Sequence, residues 1–196
     1  MRICFIGDSF VNGTNDPLCL GWVGRVAARA RQQGTDLTVY NLGIRRDTSR
    51  DVAARWRAES LARLPAEHPG ALVFSFGVND CCDEAGRRRV AAKDSLALAG
   101  QILRQAAARH PTLMVGPPPI ADDAINVRIA SLSVGLDEVC GALSVPFLAI
   151  FASLDRHSTW RDEAANGDGA HPGAGGYDAL AELVAAWPAW QRLLAG

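Results

Sequence analysis

The chain lacks any run of apolar residues long enough to span a bilayer, and its apolar opening, Ile3 to Ile6, is too short for the core of a signal peptide. A membrane-spanning protein is therefore excluded at the level of helices, and a cytoplasmic location is expected. The chain also lacks an excess of charge of either sign. Its formal net charge is −1, with the many arginines matched by acids, so there is no electrostatic reason to expect nucleic acid or an anionic membrane as a partner. The five cysteines, Cys4, Cys19, Cys81, Cys82 and Cys140, show no C-x-x-C spacing and form no Cys/His cluster of the kind that binds zinc. They read as free thiols in a reducing compartment, and the neighbours Cys81 and Cys82 are not expected to bridge. No internal repeat or low-complexity linker divides the sequence. At 196 residues it can bury a sizeable core without disulfides or metal, and is expected to form one domain over residues 1–196.

What is present is an alternation of short apolar runs with helical patterns. Strands are predicted at Arg2 to Gly7, Leu37 to Leu42, Ala71 to Phe76, Thr112 to Gly116 and Pro146 to Ile150. Helices are predicted at about Gly21 to Gln33, Thr48 to Leu64, Arg89 to Arg109, Asp123 to Leu143 and Gly173 to Ala186. Strands this apolar are expected to be buried on both faces, as in a parallel sheet covered by helices on both sides. Two segments, Asp8 to Leu20 and Ala152 to Pro172, are long for connections. In open α/β sheets such loops at the carboxyl ends of strands are where sites are built.

Three motifs sit in such places. Gly7-Asp8-Ser9-Phe10 follows the first strand and can expose a hydroxyl at the sheet edge. Phe76-Gly77-Val78-Asn79-Asp80 follows the third and offers an amide N–H. Asp168-Gly169-Ala170-His171-Pro172 precedes the last helix and lets one loop supply an imidazole and a carboxylate to orient it. Alone, each also reads as a turn or a helix cap. His68, His110 and His157 lack a comparable neighbour. Together the three motifs supply a nucleophile, a base, an orienting acid and an oxyanion donor, the parts that acyl transfer by serine needs.

At this point the sequence resembles the SGNH hydrolase superfamily, also called GDSL-like lipases and acylhydrolases. The likeness runs from Gly7-Asp8-Ser9, with Phe10 in place of the usual leucine, through the G-x-N-D block at Gly77 to Asp80, to the D-x-x-H block at Asp168 and His171. It implies a three-layer α/β/α flavodoxin-like fold with a five-stranded parallel sheet in the order 2-1-3-4-5. It implies roles as well: Ser9 as nucleophile, His171 as base and then acid, Asp168 as its partner, and an oxyanion hole from the Ser9 N–H and the Asn79 side chain. No metal or organic cofactor is implied, and the expected partner is a small-molecule ester.

The second block departs from the pattern. In Asn41-Leu42-Gly43-Ile44-Arg45-Arg46-Asp47-Thr48, Arg46 stands where the family usually has glycine. Arginine can supply the same backbone N–H to the oxyanion hole if its φ is ordinary, and Gly43 is an alternative donor. The Arg46 guanidinium is expected either to form a surface ion pair with an acid such as Asp47 or Asp51, or to overhang the pocket and bind substrate. The leading reading is an esterase for small or medium acyl groups. The alternatives are a sugar O-acetyl esterase, a phosphate- or flavin-binding module, and a pseudoenzyme whose arginine blocks the pocket.

Overall fold

A computed structural model describes residues 1–195. Strand β1 (Arg2–Gly7) pairs in parallel with β2 (Thr38–Gly43) on one side and β3 (Gly70–Ser75) on the other. Strands β4 (Thr112–Val115) and β5 (Phe147–Leu148) extend the parallel sheet, whose order is β2-β1-β3-β4-β5. The expected flavodoxin-like order is therefore present. The inner strands β1, β3 and β4 are buried almost throughout, as their unbroken apolar sequences require. Strand β2 is an edge and departs from that expectation: only Leu42 is buried.

The register positions the site. Gly7 lies opposite both Gly43 and Ser75, so β1, β2 and β3 end level with one another. Asp8-Ser9, Ile44 to Asp47 and Phe76 to Asp80 therefore leave the sheet at one edge, where chain reversals in parallel sheets bring ligands.

The first connection holds α1 (Ser9–Asn12) and then α2 (Gly21–Gln32), whose buried Trp22, Val23, Val26 and Ala30 follow helical spacing. Helix α3 (Ser49–Leu61) starts with a capping box, in which Thr48 and Asp51 satisfy each other's backbone N–H groups. Then come α4 (Val78–Cys81), α5 (Ala92–Ala107) and α6 (Asp123–Ala142), followed after β5 by α7 (Phe151–Asp155) and α8 (Ser158–Asn166). Helices α9 (Ala174–Ala186) and α10 (Pro188–Ala195) complete the described chain. Helix α2 packs against α9, and α5 packs between α3 and α6.

Four local departures from the predicted elements have physical causes. Helix α5 starts at Ala92 rather than Arg89, because Asp83–Glu84 and Arg87–Arg88 pair as an antiparallel hairpin. Its two turn residues, Ala85 and Gly86, both have positive φ, as tight hairpins need. Strand β5 is two residues long, since Ile150 already caps α7. The loop expected from Ala152 to Pro172 contains α8 and most of α7. Finally, Trp187 ends α9 and Pro188 begins α10, a first-turn position suited to proline. That last helix returns Trp190 to the core, 5.9 Å from Phe5, whose other side meets Trp22 at 5.4 Å.

Candidate active site

Ser9 is the first residue of α1, directly beyond β1, and is 3% exposed. Asp8 caps this short helix: its Oδ1 accepts the Phe10 N–H at 3.0 Å and its carbonyl accepts the Asn12 N–H at 3.1 Å. The Ser9 N–H, as the first of the helix, has no intrahelical acceptor. Gly7 is needed for room rather than for a turn, because a Cβ there would collide with the Ser75 carbonyl on β3.

From the far end of the chain, the loop between α8 and α9 brings His171 to this serine. His171 Nε2 lies 2.7 Å from Ser9 Oγ, and Nδ1 lies 2.7 Å from Asp168 Oδ2. The other carboxylate oxygen, Oδ1, accepts the N–H groups of Ala170 and His171 at 3.0 and 2.9 Å. Despite partial burial, these bonds and the imidazole pull the Asp168 carboxyl down to about 2, so it is ionised at neutral pH. An ionised carboxylate only accepts, so Nδ1 carries the imidazole proton and Nε2 is free to take one from Oγ. Burial lowers the His171 pKa and outweighs the pull of Asp168, which keeps the ring neutral at pH 7. The Phe10 ring packs against the imidazole at 4.6 Å between centroids, a role for the residue that departs from the usual leucine. Glu163 on α8 accepts the Gly175 and Gly176 N–H groups at the start of α9, at 3.1 and 2.7 Å, and so fixes the far end of the His171 loop.

Asn79 lies in α4, just past β3. Its Nδ2 donates one hydrogen to the Asp47 carbonyl at 3.0 Å, which orients the amide and leaves its second hydrogen available. Asp47 is itself held by Arg55, whose Nε donates to its carboxylate at 2.6 Å while Nη2 donates to the Gly7 carbonyl at 2.8 Å. One arginine thus ties the ends of the first and second blocks together. No sequence pattern singled out Arg55 or Glu163, because each reaches backbone groups in another element, Arg55 the Gly7 carbonyl and Glu163 the Gly175 and Gly176 N–H groups.

The ordinary φ set as the condition for an Arg46 donor is not found. Ile44 to Asp47 form a turn closed by the Asp47 N–H on the Ile44 carbonyl, and Arg46 sits in it with φ 72°. This is left-handed backbone, where glycine is favoured and other residues are strained by about 1–2 kcal/mol. Arg46 meets the geometric demand of the family glycine without its freedom. The turn is braced, since Arg89 Nη1 donates to the Arg46 carbonyl at 2.9 Å. The Arg46 guanidinium forms a surface ion pair, but with Glu84 at 2.7 Å rather than with Asp47 or Asp51. Gly43 is not a spare donor. Its N–H is taken by the Asn41 side chain at 3.0 Å, and its lack of a Cβ makes room for the Asn12 backbone.

These groups open onto a cavity of about 190 Å³, walled by Phe10, Val78, Cys82, Ile120 and Ala170, with Arg45 and Arg46 also lining it. A larger groove, about 970 Å³, lies at the opposite, amino-terminal end of the strands; its one hydroxyl contact to a histidine among the described residues is from Thr112 Oγ1 to the His110 carbonyl at 2.8 Å, which leaves no imidazole there paired with a hydroxyl. Among the described residues, no cluster of His, Cys, Asp or Glu has the form of a metal site, and no helix is long and apolar enough to cross a membrane.

Asp8 carries a separate consequence for stability. Its Oδ2 is buried without a partner, and burial, followed by the nearby Asp80 and Asp47 charges, pushes its pKa up to about 7. The folded state therefore holds this proton more tightly than the unfolded chain does. The contribution to stability is full below about 3.8, declines up to about 7 and stays low above that. Asp8→Asn keeps the acceptor for Phe10 and removes the titration. Each pKa unit is about 1.4 kcal/mol, and 1 kcal/mol moves Tm by ~2–4 °C in a domain of this size. The variant should exceed the parent Tm by at least ~3 °C at pH 8, with the gap closing near pH 4. Melting curves at the two pH values check this, and an equal gap at both would refute it.

Residues 5–179 match the GDSL-like Lipase/Acylhydrolase family. No curated protein sequence matches the chain. Among solved structures, a lipase/acylhydrolase from Enterococcus faecalis is similar at 24% identity and TM-score 0.76, over 94% of this chain and 93% of that one. A lipolytic protein of the G-D-S-L family from Veillonella parvula is similar at 16% identity and TM-score 0.78, over 94% and 96%. Axe2, an acetylxylan esterase from Geobacillus stearothermophilus, is similar at 18% identity and TM-score 0.73, over 100% and 94%. These structural likenesses establish a common fold. The family match spans all three motifs, and the chain belongs to the GDSL-like lipase/acylhydrolase family of hydrolases that act on ester bonds.

Proposed function

We propose that residues 1–196 form one hydrolase domain that cleaves carboxylic esters of small or medium acyl groups through an acyl-enzyme on Ser9. The observation that carries this reading is the unbroken chain from Asp168 through His171 to Ser9, with both hydrogen bonds at 2.7 Å, the second joining residues 162 positions apart. Ser9 Oγ attacks the ester carbonyl as its proton passes to His171 Nε2, and Asp168 stabilises the imidazolium. The oxyanion accepts hydrogen bonds from the Ser9 N–H, the free hydrogen of Asn79 Nδ2 and the Arg46 N–H, the last kept as a donor not by an ordinary φ but by a left-handed one of the kind glycine adopts. His171 then returns its proton to the departing alcohol oxygen. Water, activated by the same imidazole, hydrolyses the acyl-enzyme and restores Ser9.

The cavity volume, smaller than that of pockets that enclose drug-sized ligands, supports short acyl groups. It equally supports a second reading, removal of O-acetyl groups from sugars, the chemistry named for Axe2. The outward turn of the Arg46 guanidinium weighs against a blocked pocket. The five free cysteines suit a reducing compartment, which supports a cytoplasmic site of action.

The test is a panel of p-nitrophenyl esters and acetylated xylo-oligosaccharides, run with the parent and with Asn79→Ala. Losing one oxyanion donor typically costs ~10²–10³ in kcat. Asn79→Ala should lower kcat by that factor with little change in KM. A raised KM at constant kcat would assign Asn79 to substrate binding and remove it from the oxyanion hole.

A further inference from the structure

Two arginines line the cavity beside Ser9, and they differ in how their charge is used. The Arg46 guanidinium is neutralised by Glu84. Arg45, whose side chain is 63% exposed, has one ionic contact among the described residues: its Nη2 lies 3.7 Å from Asp168 Oδ2. That is beyond hydrogen-bond length. The oxygen is also already engaged by His171 Nδ1 at 2.7 Å, and the other oxygen of the same carboxylate accepts two backbone N–H groups. Arg45 therefore holds five donors that the protein leaves largely unused. Among the described residues, no carboxylate lines the cavity, and its two permanently charged lining groups are both guanidinium.

We infer that Arg45 recognises an anionic group, a carboxylate or a phosphate, on the alcohol half of the ester. This rests on the proposed acyl-enzyme mechanism and adds a substrate class to it. The alcohol half follows from proton delivery. His171 Nε2 hands its proton to the leaving oxygen, so that half of the substrate lies on the His171 side of the cavity, where Arg45 meets the partner of His171. A planar guanidinium engages carboxylate or phosphate through paired N–H bonds, which a compact ammonium cannot reproduce.

The role is separable from a general electrostatic effect. The Arg45 charge lowers the His171 pKa, so removing it alters turnover of every ester alike. The readout is therefore a ratio: kcat/KM for 3-acetoxybenzoate over kcat/KM for its neutral analogue 3-acetoxybenzamide, at one pH. Hydrogen bonds to charged groups are worth about tenfold or more in binding. Arg45→Gln should lower the ratio by at least about tenfold, Arg45→Glu should lower it further, and Arg45→Lys should keep part of it. Added salt should depress the parent ratio and leave that of Arg45→Gln flat. A second pair, p-nitrophenyl hemisuccinate and p-nitrophenyl butyrate, carries the charge on the acyl half instead. An Arg45-dependent shift confined to that pair overturns the placement, and a ratio indifferent to Arg45→Gln in both pairs overturns the inference. Ser9-dependent hydrolysis of the neutral amide reports on the esterase reading independently. If no ester turns over, calorimetric binding of 3-hydroxybenzoate against 3-hydroxybenzamide, in the parent and in Arg45→Gln, still decides the role of Arg45.

Discussion

Ser9→Ala should lower kcat for p-nitrophenyl acetate by at least ~10⁴-fold, with the melting temperature nearly unchanged. The size follows from the concerted action of the three groups: in serine hydrolases, removing the nucleophile alone costs about as much as removing the whole triad. What remains is the oxyanion hole and binding, which still assist attack by water. The small effect on stability follows from what the hydroxyl does in the fold. It makes one hydrogen bond, to His171 Nε2, and such bonds contribute a net ~0.5–1.5 kcal/mol. An inactive variant that still melts like the parent separates chemistry from folding. A fluorophosphonate probe, which needs an activated hydroxyl, should label the parent at Ser9 and leave Ser9→Ala unlabelled. Labelling that survives the substitution, or hydrolysis at the parental rate, would place the nucleophile elsewhere and remove the basis of the proposed acyl-enzyme.

The sheet was legible in the sequence because its inner strands are buried on both faces and so carry unbroken apolar runs, as in Ile3-Cys4-Phe5-Ile6 and Ala71-Leu72-Val73-Phe74. The strand-end motifs were legible for a related reason. A level register at Gly7, Gly43 and Ser75 delivers whatever follows each strand to one edge, so short local patterns report on a three-dimensional cluster. What stayed hidden depends on contacts between remote segments. The hairpin at Asp83 to Arg88 lies in a polar stretch with no alternation to mark it, and Ala85 takes a positive φ that its identity does not advertise. Helix α10 is held by the burial of Trp190 against Phe5, across most of the chain. Arg46 is the odd residue of its block in the sequence, yet its pairing with Glu84 depends on that hairpin. Arg45, the neighbour whose charge stays largely unpaired, could not be told from it, because two adjacent arginines in a turn carry no mark of which one a remote acid will neutralise.

The second large effect is expected at Asp168. The backbone around it settles how an asparagine would sit there. Oδ1 accepts from the Ala170 and His171 N–H groups, so an amide at this position must keep its oxygen on that side and turn its NH₂ toward His171 Nδ1. A donor facing Nδ1 forces the imidazole proton onto Nε2. Nε2 then points a hydrogen at Ser9 Oγ and cannot take one from it. Asp168→Asn therefore keeps the geometry and inverts the tautomer, a change that costs ~10⁴ in kcat in the chymotrypsin-type triad. The Asp168 carboxylate here is about a third exposed, so water can replace part of its role. The expected loss is ~10³–10⁴ in kcat, with KM little changed. Asp168→Ala should be the milder lesion of the two for the tautomer, since water in the vacated space can accept the Nδ1 proton, although it also frees the loop. The ordering Asn below Ala in kcat is the signature of tautomer control. Turnover assays on the two variants, with melting curves to confirm folding, test it. Full activity in Asp168→Asn would mean that another group orients His171, and a larger loss in Asp168→Ala than in Asp168→Asn would trace the effect to loop order instead of the imidazole proton.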